Sequence, residues 1–382
     1  MKTPPHAALG DVADFINGMA FKPSDWSEAG ARIIRIQNLT DPSKQYNRTQ
    51  RTVPLRARVH PGDLLVSWSA TLGVFEWSGE DVAVLNQHIF RVVPDDHLVA
   101  KRYLKHLLVG AIADMERHLH GATMKHVNRG EFLNTTIPLP ALGEQRRIAQ
   151  VLDAADALRG QRRLALRTGA SLTPAALEQA FGTVEANDHN LPARELREVC
   201  SRITDGTHQS PDWTESGVPF LFVSNIMSGE IVWDTAKHVS EATHAALTAR
   251  CPIEPGDVLY STVGSYGVPA VVRTSRKFAF QRHIAHIKPR RDEIHPEYLR
   301  AVLASPSLQR QADRVARGVA QKTLNLAAIQ RFRLLVPSLA DQIRFAALAS
   351  RASTMHSAGQ RHLALLDRLF TALQRRAFTG SL

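Results

Sequence analysis

Short apolar, β-branched runs separated by polar turns fill the first 140 residues, and the pattern then lengthens into a helical stripe. Ile33–Ile36, Asp63–Val66, Val82–Leu85 and Ile89–Val93 read as strands. Pro61-Gly62 ahead of Asp63 is turn chemistry, with proline fixing φ and glycine free to adopt positive φ. A helix is expected from about Ala100 to His118, then a Gly/Thr/Lys/Asn loop over Gly121–Arg129, then a last strand near Thr136–Leu139. From Leu142 to about Leu172 the chain turns rich in Ala, Leu, Arg and Gln, with Ile148, Leu152, Ala155 and Leu158 at helical spacing. Thr173-Pro174 reads as an N-cap followed by proline at the first helical position, so this helix is expected to stop or kink there and restart over Ala175–Phe181.

The same order of features then returns. Leu9-Gly-Asp-Val12 is answered by Leu196-Arg-Glu-Val199, Gly18 by Gly206, and Trp26 to Gly30 by Trp213 to Gly217. Ile33–Ile36 ending at Asn38 is answered by Phe220–Val223 ending at Asn225. Pro61-Gly-Asp63 and Ser67 are answered by Pro255-Gly-Asp257 and Ser261. His88-Ile89, Tyr103-Leu104, Gly121, Lys125, Pro140, Gln145 and Ala180-Phe181 find His283-Ile284, Tyr298-Leu299, Gly318, Lys322, Pro337, Gln342 and Ala377-Phe378. The offset drifts only from 187 to 197, so the insertions are small and belong in loops. One α+β unit followed by one long helix is therefore written twice, and each copy must bury its own core.

The second helical stretch, Leu339 to Phe378, ends in Leu363, Leu366, Phe370, Leu373 and Ala377, spaced alternately three and four apart as in a coiled-coil seam. Left alone, that stripe would face water. The two equivalent helices are expected to pair antiparallel, with the globular domains at opposite ends; the alternative is that each helix folds back on its own domain. The proline after Thr173 has no counterpart in the second copy, which puts strict symmetry of the pair in question.

Charge narrows the function. The formal net charge is +11, from 47 Lys+Arg against 36 Asp+Glu, a long-range attraction for polyanions and for nucleic acid first. Arginine dominates, which a GC-rich genome would also produce. The two cysteines, Cys200 and Cys251, sit in no C-x-x-C or local Cys/His cluster, so neither a disulfide framework nor a zinc site is expected. Residues Met1 to Asp11 carry no apolar leader, and no run approaches the roughly 18 apolar residues of a membrane span. A cytoplasmic protein is the expectation.

Catalytic signatures are missing. No lysine has Asp or Glu two residues before it, so the D/E-x-K half of a common nuclease site cannot form locally. There is no phosphate-binding G-x-x-x-x-G-K-[ST] or G-x-G-x-x-G, no H-E-x-x-H, no H-x-E with C-x-x-C, and no G-x-S-x-G. The N/D-P-P-aromatic tetrapeptide of amino-methyltransferases is absent too.

Leu9 to Gly18, Phe21-Lys-Pro23, Ile34 to Leu39, Asn86-Gln-His-Ile89, Leu142 to Ile148 and Arg376 to Gly380 together resemble the specificity (S) subunit of type I restriction–modification enzymes. The resemblance runs over essentially the whole chain, duplication included. It implies two tandem target-recognition domains, each reading half of a split, asymmetric duplex DNA site, and two spacer helices that dock two methyltransferase (M) subunits. S-adenosylmethionine would come with the M subunits, and ATP and Mg²⁺ with restriction (R) subunits; this chain would bind no cofactor and carry no catalytic residue. On that reading residues 1–140 are the first recognition domain, 141–187 the central spacer helix, 188–336 the second recognition domain and 337–382 the terminal spacer helix.

Duplex reading needs cationic and amide side chains on loops, with Arg matching guanine and Asn or Gln matching adenine. The loop after the first domain's helix offers Thr123, Lys125, His126, Asn128 and Arg129, and its counterpart Arg317, Gln321, Lys322 and Asn325. The triplets Asn86-Gln87-His88 and Gln281-Arg282-His283 are second candidates, and Asn38, Ser67, Asn225 and Ser261 lie at strand ends. Ordinary turn capping is the competing role for each. Positions kept in both copies, such as Lys125 and Lys322, suit phosphate contact; positions that differ, such as Met124 and Gln321, suit base reading. Two other functions stay open at this stage: a scaffold whose helix pair binds protein, and an orphan nuclease built from distant loops.

Overall fold

The computed structural model describes residues 4–41, 43–118, 129–318, 322–380 and 382. The fold is α+β with two long helices, and the chain forms two compact units: residues 1–162 with 362–382, and residues 163–361. The linear division at 140, 187 and 336 follows chain order, whereas packing cuts both long helices near their middles.

In the first unit an antiparallel sheet has the order Ala13–Asn17, Ile89–Pro94, Leu64–Ser67, Gly73–Glu76. A second sheet has the order Asn47–Thr49, Ala31–Ile34, Ala83–Leu85, Arg58–Val59, its central pair parallel. The second unit repeats this. Cys200–Asp205, Ile284–Pro289, Val258–Ser261 and Pro269–Val271 form one sheet, and His238–Val239, Val218–Leu221 and Ala279–Phe280 the other, again with a parallel pair. Register is retained: Leu64 faces Val92 as Val258 faces Ile287. Completely buried strands such as Leu64–Ser67 and Val258–Ser261 explain why the apolar runs are continuous rather than alternating.

The expected helix from Ala100 is Lys101–His118 in the first unit. In the second unit its place is taken by Pro296–Leu303 and Pro306–Val315. Ala304 ends one and Ser305 caps the next, its Oγ accepting from Leu308 N, with Pro306 at the first turn where no N–H is needed.

Both long helices span 40 residues, Leu142–Phe181 and Leu339–Phe378. Of the expected stop or kink at Thr173-Pro174, the stop is corrected: Pro174 lies inside a continuous helix. Proline removes one backbone donor from the ladder, yet Leu177 and Phe181 beyond it are buried among Tyr298, Phe345 and their neighbours. Burying those two side chains contributes about 1.5–3 kcal/mol each, enough to offset the roughly 3 kcal/mol of a helical proline. The other helix ends equivalently: Phe370, Leu373, Ala377 and Phe378 join the core of Tyr103, Leu107, Ile148 and Leu152. Each unit's core is thus completed by the tail of the helix that follows the other domain.

Within each unit the two helical segments run antiparallel. In the first, Arg159 meets Asp367 and Arg147 reaches the carbonyl of Leu382; in the second, Leu166 lies against Gly359 and Phe181 against Phe345. The seam Leu363, Leu366, Phe370, Leu373, Ala377 turns inward as its spacing predicts. Leu158 does not join it and is 53% exposed; Arg159 takes that place, its guanidinium carbon 4.2 Å from the Phe370 ring centre.

One side chain fastens each long helix to the domain before it. Gln145 is fully buried; its Oε1 accepts from Ala100 N at 2.8 Å, and its Nε2 donates to Leu98 O at 2.9 Å and Pro140 O at 2.7 Å. Gln342 repeats this with His295 N at 2.8 Å, Glu293 O at 3.0 Å and Pro337 O at 2.9 Å.

Candidate nucleic-acid interface

The two candidate triplets sit at the same point of the repeated frame. Asn86 N donates to Ile34 O and Gln87 N to Met19 O; Gln281 N donates to Leu221 O and Arg282 N to Thr207 O. The next loop is held in turn, Trp68 N to His88 O and Thr262 N to His283 O. Glycine is required where the chain passes behind: a Cβ on Gly18 would stand 2.0 Å from Asn86 O, and one on Gly206 2.1 Å from Phe280 O. The matched glycines thus mark a close approach of two backbones that sets the triplet's position.

Upon this shared frame the exposed side chains differ. Gln87 and Arg282 occupy corresponding exposed positions, one an amide and the other a guanidinium. Asn86 is half-buried, and its Oδ1 accepts no hydrogen bond among the described residues. His88 adopts a φ of +71° and its ring lies 5.0 Å from Trp68. His283 is half-buried, and burial together with Arg282 and His208 pulls its pKa below the usual histidine value. In a neutral His283 the Nε2 accepts from Arg282 Nε at 3.4 Å, which leaves the Nδ1 N–H as the ring's donor.

In the second unit the fold joins this triplet to the later loop. Leu324 N donates to Thr262 O, Gly264 N to Lys322 O, and Arg317 and Thr323 exchange backbone hydrogen bonds at 3.0 and 2.8 Å. Arg282, Lys322 and Arg317 are each exposed on these backbone-linked segments, with Asp313 close enough to Lys322 to feel its charge. Beside the triplet opens a cavity of about 280 Å³ lined by His208, Trp213, Phe222, Arg282 and His283. Asn325 is exposed but caps the helix Leu326–Gln330, its Oδ1 accepting from Ala328 N at 2.8 Å. In the first unit Arg129 lies 5.8 Å over the Phe90 ring and donates to Phe15 O. Thr123, Lys125, His126, Asn128 and Gln321 lie outside the described residues, as does Met124.

Four candidates turn out to be internal struts. Asn38 is 3% exposed; its Oδ1 accepts from Arg35 N, and its Nδ2 donates to Lys44 O and Gln45 O. Asn225 does the same with Phe222 N, Val232 O and Asp234 O. Ser67 and Ser261 are fully buried and donate to Thr71 O and Ser265 O. These side chains spend their polar atoms closing loops, so none is left to reach a groove. Their retention in both copies belongs to the frame.

A basic surface escaped sequence reasoning. A cavity of about 560 Å³ in the first unit is walled by Arg32, Arg48, Arg51 and Arg58 with Gln50. Arg32 pairs with Asp81 and Arg51 with Asp25, while Arg48 donates to Gly30 O. The arginine density between Arg48 and Arg58 was its signal, but only the sheet brings Arg32 alongside.

Comparison with known proteins agrees with this architecture. The family model of the type I restriction modification DNA specificity domain matches residues 6–166. The specificity subunit of the type I restriction enzyme EcoBI from Escherichia coli is 26% identical over 408 residues, covering 98% of this chain and 85% of that protein. The MjaVIII specificity subunit of Methanocaldococcus jannaschii is 20% identical over 308 residues, covering 74% of this chain and 70% of that protein. Among solved structures, the type I S subunit from M. genitalium superposes with a TM-score of 0.61 at 14% identity, covering 99% of each chain. A chain from a type I restriction–modification system, solved to describe its complex assembly and conformational transition, gives 0.56 at 20% identity and covers both chains completely. Those two likenesses concern the fold.

The duplicated α+β frame with two long helices shares its fold with those two solved chains. Residues 6–166 carry the match to the type I restriction modification DNA specificity domain, and over nearly its whole length the chain is similar to the specificity subunit of a type I restriction enzyme. No helix among the described residues is long and apolar enough to cross a membrane.

Proposed function

We propose that this chain reads a split, asymmetric duplex DNA target, one half-site per recognition domain, and holds methyltransferase subunits, with restriction subunits in the full complex, on that target. The observation that carries the reading is the pairing of an identical backbone frame with unlike exposed side chains, Gln87 against Arg282 above all. A shared frame presents both domains to DNA in the same way, and unlike side chains ask for different bases. The excess of positive charge supplies the sequence-independent attraction. Partner docking is supported by apolar side chains left in water along the long helices: Leu164, Leu172, Leu348, Met355 and Leu365 are each about 60% exposed or more. S-adenosylmethionine, ATP and Mg²⁺ belong on the partner subunits in this reading.

Single-molecule methylome sequencing of a host expressing the chain with its methyltransferase partner tests it. The expected result is methylated adenine in two short motifs separated by unread bases; a contiguous motif, or none, overturns the proposal. Arg282→Ala should relax one half-site only. Lys322→Ala, as a phosphate contact, should weaken binding to all sequences and lower the salt slope by about one.

A further inference from the structure

The sequence places Cys251 in no local cluster, but the fold brings two distant residues to it. His286 Nδ1 lies 3.4 Å from Cys251 Sγ, and His286 Nε2 lies 2.6 Å from Asp257 Oδ2. The imidazole and the carboxylate are each 2% exposed. Asp257 also accepts from Lys288 Nζ at 2.9 Å and from Glu254 N. The carboxylate claims the Nε2 proton, which leaves Nδ1 as the ring's acceptor, turned toward the thiol. The thiol itself is only half-buried, in the wall of a cavity of about 320 Å³ shared with Arg202, Arg250 and Phe280.

The first copy shows that the fold does not need this arrangement. Strand register sets Arg91 opposite Leu65 as it sets His286 opposite Leu259. There the aspartate of the Pro-Gly-Asp turn, Asp63, accepts from Arg91 Nε at 2.6 Å. The residue six before it, where Cys251 stands in the second copy, is Ala57. A permanent cation and a methyl group serve the frame equally well. The second copy has a base and a thiol in their place.

We infer that Cys251, with His286 as its base and Asp257 orienting that base, is a reactive thiol that exchanges with small disulfides entering the 320 Å³ cavity. The thiol proton passes from Sγ to Nδ1. The thiolate attacks one sulfur of R–S–S–R, a Cys251–S–S–R bond forms, and R–S⁻ departs with the electron pair of the broken bond and takes up the proton. Cys251 is oxidised to the mixed disulfide as the small disulfide gives up one equivalent of thiol. Arg202 and Arg250 in the wall favour a disulfide bearing carboxylates. Burial pushes the Cys251 thiol up, but the hydrogen bond to His286 and the nearby His286, Lys288 and Arg202 charges outweigh it and hold the pKa below the usual thiol value. Cys200 is the internal control, since burial pushes its thiol up to about 12.

The full chain, alone or with its methyltransferase partner, is treated with oxidised glutathione and followed by intact mass and peptide mapping. One glutathione is expected on Cys251 and none on Cys200, at least tenfold faster at neutral pH than on Cys251 in the urea-unfolded chain. His286→Gln should slow uptake at least tenfold. A native rate no faster than the unfolded one, or a folded His286→Gln chain reacting like the wild type, overturns the inference. Should His286→Gln not fold, the pH profile of Cys251 alkylation in the wild-type chain decides: the expected midpoint lies below the ordinary thiol value of about 8.5, and one at or above it overturns the inference.

Discussion

Replacing Gln145 by alanine removes the acceptor of the Ala100 N–H and the donor of two carbonyls, Leu98 and Pro140, in a site with no solvent access. A buried donor left unpaired costs about 1–3 kcal/mol, and a carbonyl, with a second lone pair, somewhat less. The deleted methylene and amide leave a void costing about another 1 kcal/mol. Water entering the void would recover part of this, so the expected loss is about 2–4 kcal/mol, confined to the unit of residues 1–162 and 362–382. Because the two units need not unfold together, hydrogen–deuterium exchange of individual peptides is the suitable assay. Peptides around Ala100 and at the start of the first long helix should exchange at least tenfold faster, while those around His295 and Gln342 stay unchanged. Gln145→Glu sharpens the test. It keeps an acceptor for Ala100 N but points negative oxygen at two carbonyls, so the new carboxyl is raised above its unfolded value. Its folded state then binds the proton more tightly, and the destabilisation, full at neutral pH, must shrink as pH falls through the raised value. A Gln145→Ala chain within about 0.5 kcal/mol of wild type, or a Gln145→Glu defect unchanged between neutral and acid pH, would refute the buried-glutamine account.

Gly206→Ala should cost about 3 kcal/mol or more, because the new methyl meets the Phe280 carbonyl at 2.1 Å, whereas Gly143→Ala, with nothing within 4 Å, should gain a few tenths to about 1 kcal/mol; urea titration compares them. Arg159→Ala should lose about 1–2 kcal/mol by removing its contacts to Asp367 and the Phe370 ring, and Arg159→Lys should not restore it; a double-mutant cycle with Asp367→Ala isolates the ion pair. The Asp257–His286 pair predicts a pH window for the second unit. Burial lowers the His286 pKa, but Asp257 and Cys251 outweigh it and hold it above the usual value, so its contribution is complete below about 6.5 and lost as pH rises through the raised value. Burial raises Asp257, but its bonds to His286 and Lys288 hold it below the usual carboxylate value, so its contribution is lost as pH falls through the lowered value. In a Cys251→Ala background, which removes the opposing thiolate, exchange protection of the Ile284–Pro289 strand should therefore decline on the alkaline side, while the Arg91–Asp63 strand of the first unit shows no such limb.

Much of the molecule was legible in the linear chain. The ordered matches revealed the duplication, apolar runs located the strands, and three-and-four spacing located the seam from Leu363 to Ala377, because burial on one face imposes its own period. The pairing of Gln145 with Gln342 marked two equivalent positions.

Direction and partnership were settled only by tertiary packing. Asn38 and Asn225, or Ser67 and Ser261, carry the chemistry of base recognition and of loop closure alike, and only folding shows that each is consumed within its own loop. Pro174 stands within a helix because aromatic burial beyond it outweighs one missing hydrogen bond, a balance no local propensity contains. Which tail closes which core, and which histidine meets Cys251, depend on residues up to 235 positions apart. The tandem repeat that opens the sequence is therefore, in three dimensions, an exchange: each copy supplies the last turn of the other's core.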